Sequence, residues 1–273
     1  FNATPIETSV KNKKIDLDIR IYEGKQARID KVMVKGNTKT NDHVIMRELR
    51  SLPGELFKRS DIMRSQRELA QMQYFNPEKF DVKIDPDNIK NEVDITYVVE
   101  EKSSDQIQLQ GGWGAGRVVG SLGLSFNNFS TRNFFKKNKW TPLPSGDGQI
   151  LSLTASSNGI YYQNYNISFT EPWLGGKKPN SLTISLYKSI SSNGQEEDDR
   201  EAIEITGISI GLGKRLQFPD DYFTLYNGLN FQQYKLINSQ SFFSFSNGFS
   251  NNINYNIRLA RNSTDQLIYP RSG

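Results

Sequence analysis

From residue 106 to residue 260 the chain alternates apolar and polar side chains at period two, in blocks of strand length separated by turn-forming residues. Successive side chains of a strand point to opposite faces, so each block carries one greasy side and one polar side. In the first block Ile107, Leu109 and Trp113 share one parity, while Gln106, Gln108, Gln110, Gly112, Gly114 and Gly116 share the other. A slip of one residue would exchange the two faces, so such a pattern specifies its register. Leu122, Leu124 and Phe126 continue the apolar set, as do Tyr165, Ile167 and Phe169, then Leu182, Ile184 and Leu186, and Ile253, Tyr255, Ile257 and Leu259. Their alternates are mostly Ser, Thr, Asn, Gln and Gly. An apolar outside and a wet inside is the grammar of a transmembrane β-barrel, whereas a small soluble barrel is filled with aliphatic side chains. One block breaks phase: Ile203 and Ile205 are odd, Ile208 and Ile210 even, which predicts a bulge or a strand entry near Thr206-Gly207.

A mean hydropathy of -0.61 looks soluble, but that average misleads for barrels. A barrel strand shows lipid only half its side chains and crosses in about 10 residues, so the run of about 20 apolar residues that a helix needs is not required. The first ten residues lack the basic start and apolar core of a signal peptide, and the natural N-terminus is expected elsewhere. The absence of cysteine fits a Gram-negative cell envelope and excludes disulfides, thiolate metal sites and cysteine nucleophiles. His43, the only histidine, reads as a solvated helix residue. The net charge of +4 is spread along the chain rather than gathered into a stripe, so no nucleic-acid partner is expected. Gly112-Trp113-Gly114-Ala115-Gly116 has Arg117 where a dinucleotide loop needs its third glycine, and Gly211-Leu212-Gly213-Lys214-Arg215 lacks the Ser or Thr of a phosphate loop. Glu196-Glu197-Asp198-Asp199 reads as a solvated charge run without the interleaved ligands of a calcium loop. No cofactor, no metal and no enzyme activity are expected.

The first part has a different grammar. Residues 14–23 alternate as a strand, with Ile15, Leu17, Ile19 and Ile21 on one side. A strand over 27–35 stops at Gly36-Asn37-Thr38, and Thr40 or Asn41 caps a helix running through Leu49. Pro53-Gly54 ends it. Ser60 or Asp61 starts a second helix, which reaches Tyr74-Phe75 before Asn76-Pro77, and strands follow over 79–84 and 93–99. The β-α-α-β-β order, Gly36-Asn37-Thr38-Lys39-Thr40 before the first helix, and Leu69-Ala70-Gln71-Met72-Gln73-Tyr74-Phe75 after the second resemble a POTRA module. Barrel blocks follow directly after Glu100-Glu101-Lys102, and POTRA followed by barrel resembles the BamA-type outer-membrane insertase family.

The resemblance implies an α+β POTRA module at residues 25–102, the end of a preceding module at 1–24, and the N-terminal half of an antiparallel outer-membrane barrel, about eight strands, at 103–273. Residues 269–273 resemble the family's turn after the eighth strand. The barrel would lie in the outer membrane with the POTRA module in the periplasm. Partners would be unfolded β-barrel clients, outer-membrane lipid, and accessory lipoproteins or other assembly subunits. Candidate receiving edges on the POTRA module are 93–99 and 27–35. The expected client-docking seam is the first strand: Gln106, Ile107, Gln108, Leu109, Gln110, Gly111, Gly112, Trp113, Gly114 and Gly116. Glycine weakens a strand and leaves a seam that a client strand could enter; the alternative is that these glycines serve curvature or close packing. A related POTRA-barrel translocator, exporting polypeptides through its pore, is the second functional reading. With the POTRA side periplasmic, connections 132–148, 171–180 and 217–221 face inward, placing Trp140 and Trp173 at the inner membrane interface. The first of these, containing Lys136-Lys137-Asn138-Lys139, is longer than the short periplasmic turn expected.

Overall fold

The computed structural model describes residues 2–11, 14–22, 25–87, 89–114, 117–140, 142–195, 199–238 and 247–264. The chain forms two compact units, Phe1–Asn37 with Glu48–Glu101, and Thr38–Arg47 with Lys102–Gly273.

The first unit begins with an antiparallel hairpin of β1 (Asn2–Lys11) and β2 (Lys14–Tyr22). β2 is the strand foreseen at 14–23. β1 was not anticipated, because Ile6 and Val10 are too sparse to display alternation. A three-stranded sheet follows, ordered β3 (Arg28–Lys35), β5 (Glu92–Val98), β4 (Asp81–Asp87). β3 runs parallel to β5 and β4 antiparallel to it. A parallel pair needs a long crossover, and α2 (Arg59–Gln71) lies within it. Ile62 and Leu69 of α2 are buried, as are Phe75, Val93, Ile95 and Tyr97, which make up much of this unit's core. The Ser51 hydroxyl and the Tyr97 hydroxyl, both buried, meet at 2.7 Å. Gly36 takes φ +98°, and a Cβ there would collide with the Val99 carbonyl, so glycine is obligatory.

Residues 93–99 are no free edge: β5 is the middle strand, hydrogen-bonded on both sides. Val93, Ile95, Thr96, Tyr97 and Val99 are all buried there. The other candidate, 27–35, is an edge, but its first residues are already engaged: the Gly54 amide donates to the Ile29 carbonyl and the Ile29 amide to the Glu55 carbonyl. Pro86 in β4 is tolerated because β4 is an edge strand.

The second unit contains α1 (Asp42–Met46) and an eight-stranded antiparallel sheet, each strand beside its sequence neighbours. The strands are β6 (Gln106–Gly114), β7 (Arg117–Phe129), β8 (Gln149–Ser157), β9 (Tyr162–Glu171), β10 (Asn180–Ser192), β11 (Ala202–Arg215), β12 (Phe223–Ile237) and β13 (Gly248–Arg261). Register joins apolar to apolar across the whole sheet. Ile107 pairs with Leu124, Leu124 with Leu153, Leu153 with Ile167 and Ile167 with Leu186; Leu186 then faces Ile208, and Ile208 faces Phe231. These side chains stay half exposed, Ile167 and Leu186 at 51% each. So broad a band of open apolar surface is incompatible with water and matches a lipid-facing wall.

The opposite face is polar and linked strand to strand. Ser185 donates to Ser168 at 3.0 Å, Ser209 to Asn230 at 2.8 Å, and Gln232 to the Tyr187 hydroxyl at 2.7 Å. Here the glycines of β11 make space: a Cβ on Gly207 would strike the Tyr187 ring, and one on Gly211 the Tyr226 ring.

The predicted bulge at Thr206-Gly207 is absent. Pairing of β10 with β11 runs unbroken from Asn180↔Lys214 to Ser192↔Ala202. The phase change instead marks the end of the lipid band. Beyond it the outer positions become Lys188, Glu204 and Lys235, with Lys235 3.7 Å from Glu204, while Ile203 and Ile205 turn to the inner face. A strand longer than the membrane reverses its polarity without altering its hydrogen bonds.

Candidate functional site at the first barrel strand

β6 holds nine of the ten predicted seam residues, from Gln106 through Gly114; Gly116 lies outside the described residues. It sits at one end of the sheet, pairing with β7 from Gln106↔Ser125 to Gly114↔Arg117, and among the described residues no strand covers its other edge. Leu109 is 81% exposed and Trp113 75%. The pairing runs over nine residues, like the eight each of β7 with β8 and β8 with β9 and fewer than the 14 of β12 with β13. Within it Gly111 faces Gly120 and Gly112 faces Val119, so the usual cross-strand side-chain contacts, about 0.2–1 kcal/mol per pair, are missing at two successive positions.

The glycines of β6 differ in kind from those of β11. A Cβ on Gly111 would meet only the Val119 carbonyl oxygen at 3.9 Å, and one on Gly112 only the Val119 side chain at 3.5 Å. Both are ordinary contacts. Neither residue has the positive φ that would demand glycine. Close packing within this sheet therefore does not account for them. On the polar face an open groove of about 360 Å³ runs past Gln110, Gly112, Ser121 and Ser156.

At the end of the sheet where the chain enters β6, the long connection between β7 and β8 is built on a buried polar cluster. Asp147 is its centre, 4% exposed. Its Oδ2 accepts from the Ser130 hydroxyl at 2.6 Å and its Oδ1 from the Asn41 side-chain amide at 2.9 Å, with His43 Nε2 3.6 Å from Oδ1. Arg47 donates to the Asp147 carbonyl at 3.3 Å, and its guanidinium lies 5.5 Å from the centre of the Trp173 ring. The Asn128 amide donates to the Thr40 hydroxyl at 2.9 Å, and the Asn41 backbone amide to the Gly146 carbonyl at 2.9 Å. Gly146, at φ +124°, lets the Lys39 carbonyl approach: a Cβ there would lie 2.7 Å from that oxygen. Asn41 is the N-cap of α1, but its side chain makes no cap hydrogen bond and serves Asp147 instead.

This cluster escaped the sequence reading, which left the length of the connection unexplained. The signal was available: Asp147 is the only acid between Asp105 and Glu171, and glycines flank it on both sides. Trp140 lies in that connection and Trp173 in the next one along the same end, between β9 and β10. Among the described residues no group of three or more His, Asp or Glu is placed to hold a metal ion; Glu196 to Asp198 lie outside them.

Comparison with known proteins agrees with this architecture. Residues 27–102 match the POTRA family, described as a surface antigen variable number repeat, and residues 145–273 match the Omp85 superfamily domain. The chain joins a POTRA module to an Omp85 superfamily domain. It is 26% identical over 280 residues to the outer membrane protein assembly factor BamA of Nitratidesulfovibrio vulgaris, covering 98% of this chain and 31% of that one. With BamA of Neisseria meningitidis it shares 26% identity, covering 82% of this chain and 25% of the relative. It thus spans about a third or less of these relatives. The crystal structure of BamA from Haemophilus ducreyi lacking POTRA domains 1-3 superposes over all of this chain and 51% of its own, with TM-score 0.65 and 20% identity. CdiB from Escherichia coli shares the fold at TM-score 0.54 and 12% identity, covering 95% of this chain and 46% of its own. As in the family, the barrel strands belong to the outer membrane and the POTRA module to the periplasm.

Proposed function

We propose that this chain is part of an outer-membrane β-barrel insertase, in which β6 is the strand that parts from its closing neighbour and offers its backbone to a client. The supporting observation is the character of β6: at the end of the sheet, and carrying Gly111 and Gly112 where neither space nor φ requires glycine. An unpaired edge in hydrocarbon leaves each N–H and C=O unsatisfied at several kcal/mol, so a parted seam strongly favours any strand that can pair with it. Clients are unfolded outer-membrane β-barrel proteins, which present such strands, and the POTRA module receives accessory assembly subunits or client segments. Recognition runs through the main chain of Gln106, Ile107, Gln108, Leu109, Gln110, Gly111, Gly112, Trp113 and Gly114, so no covalent chemistry or cofactor is involved.

The test is a disulfide joining a cysteine in β6 to the strand that faces it in the closed barrel. Client insertion into proteoliposomes should stop when the bond forms and return on reduction. Undiminished insertion through a locked seam would refute the reading. A translocator moving polypeptides through its polar lumen is the competing mechanism, and the continuous hydrogen-bonded inner face gives it a physical basis. That mechanism predicts transport indifferent to the lock.

A further inference from the structure

The tip of the β7–β8 connection carries an open aromatic cluster on a rigid base. Phe135 is 92% exposed, Phe134 47% and Trp140 38%. The Phe134 ring lies 5.5 Å from that of Phe135 and 5.6 Å from that of Trp140, and the Trp140 indole N–H donates to the Phe134 carbonyl at 3.1 Å. The tip is not a loose loop. Its base is pinned by Ser130 and Asn133: the Ser130 hydroxyl accepts from the Asn133 amide at 3.1 Å, and the Asn133 side chain donates to the Ser145 carbonyl at 3.0 Å. Holding three aromatic rings in water on a preformed platform is unfavourable unless something covers them.

Charge and position say what does. Arg132, Lys136, Lys137 and Lys139 flank the three aromatic residues in the sequence, residues 131–146 include no acid, and among the described residues none of the four cations is ion-paired. The connection leaves the sheet at the end of the apolar band, where Phe129, directly before Ser130, packs edge-on against Phe169 at 6.4 Å. Aromatic rings flanked by uncompensated cations, placed where the apolar band ends, suit the boundary between hydrocarbon and anionic headgroups.

We propose that this tip is a lipid anchor that inserts Phe134, Phe135 and Trp140 into the periplasmic leaflet and binds anionic phospholipid through its lysines. It would hold the membrane against the barrel next to the first strands. The inference rests on the barrel's place in the membrane but not on the seam mechanism.

The chain has no cysteine, so single labels are simple to place. In the complete barrel protein, Phe135→Cys would carry a polarity-sensitive fluorophore, with Leu124→Cys on the lipid wall as reference, in phosphatidylethanolamine vesicles with or without phosphatidylglycerol. Nitroxide lipids labelled near the glycerol should quench position 135, more strongly with phosphatidylglycerol present. Lys136→Gln, Lys137→Gln and Lys139→Gln together should weaken the phosphatidylglycerol effect by on the order of a hundredfold, about fivefold per cation. Quenching at 124 but not at 135 would overturn the anchor: accessibility of 135 to aqueous iodide would then place the tip in water, and protection from iodide would place it against protein. Quenching at 135 that ignores both phosphatidylglycerol and the lysines would overturn the anionic-lipid assignment. Silence at both positions would overturn the membrane placement itself.

Discussion

Replacing Asp147 with alanine should release the β7–β8 connection and the segment Thr38–Arg47 from each other without unfolding the sheet. The carboxylate accepts two hydrogen bonds, from Ser130 at 2.6 Å and Asn41 at 2.9 Å, and lies 3.6 Å from His43. Hydrogen bonds to a charged group contribute about 1.5–3 kcal/mol each, and removing the acceptor strands the hydroxyl of Ser130, which is fully buried. The two bonds together give at least about 3 kcal/mol. Backbone contacts at Gly146, and the Asn128–Thr40 bond, survive the substitution, so the loss appears as local opening rather than global melting. At about 1.4 kcal/mol per decade, amide exchange across 38–47 and 130–148 should quicken by about a hundredfold or more. Hydrogen-deuterium exchange with mass spectrometry, on the protein in lipid nanodiscs, reads both segments together, and β9 to β12 serve as the unperturbed control. Unchanged exchange in the two segments would show that Asp147 holds nothing there. Equal acceleration over the whole sheet would equally contradict a local tie.

Three further outcomes follow from the packing. Gly111→Val should tighten the β6–β7 pair by about 0.5–1 kcal/mol, because the site has room and a β-branched residue has less backbone freedom to lose than glycine; exchange in β6 should slow, and client insertion should slow with it if a loose strand is what insertion uses. Gly211→Val should do the reverse in β11, displacing the Tyr226 ring at about 1–3 kcal/mol, visible as lowered thermal stability in detergent. Tyr97→Phe should cost about 1–3 kcal/mol by orphaning the buried Ser51 hydroxyl, while the double variant with Ser51→Ala recovers part of it; denaturant unfolding of the four members of the cycle measures the coupling.

What could be read in advance, and what could not, divides along the range of the forces involved. Period-two alternation is local, and it placed the lipid-facing residues on their strands, since a register error anywhere would turn a leucine into the lumen. The two helices were legible for the same reason, but their ends were not. α1 stops at Met46 rather than Leu49, and its cap residue Asn41 spends its side chain on a partner 106 positions away. No window of sequence contains both ends of that bond. The middle place of β5 was likewise hidden, because a fully buried strand and an edge strand differ only in what arrives beside them. The misjudged bulge has another cause: the alternation reports the solvent on each side of a strand, and where the membrane ends the pattern inverts although the backbone continues unchanged. The same reasoning separates the glycines. In β11 they are complements to tyrosines on neighbouring strands, whereas Gly111 and Gly112 make room for no side chain in this sheet, which is why the proposed parting of β6 is tested at them.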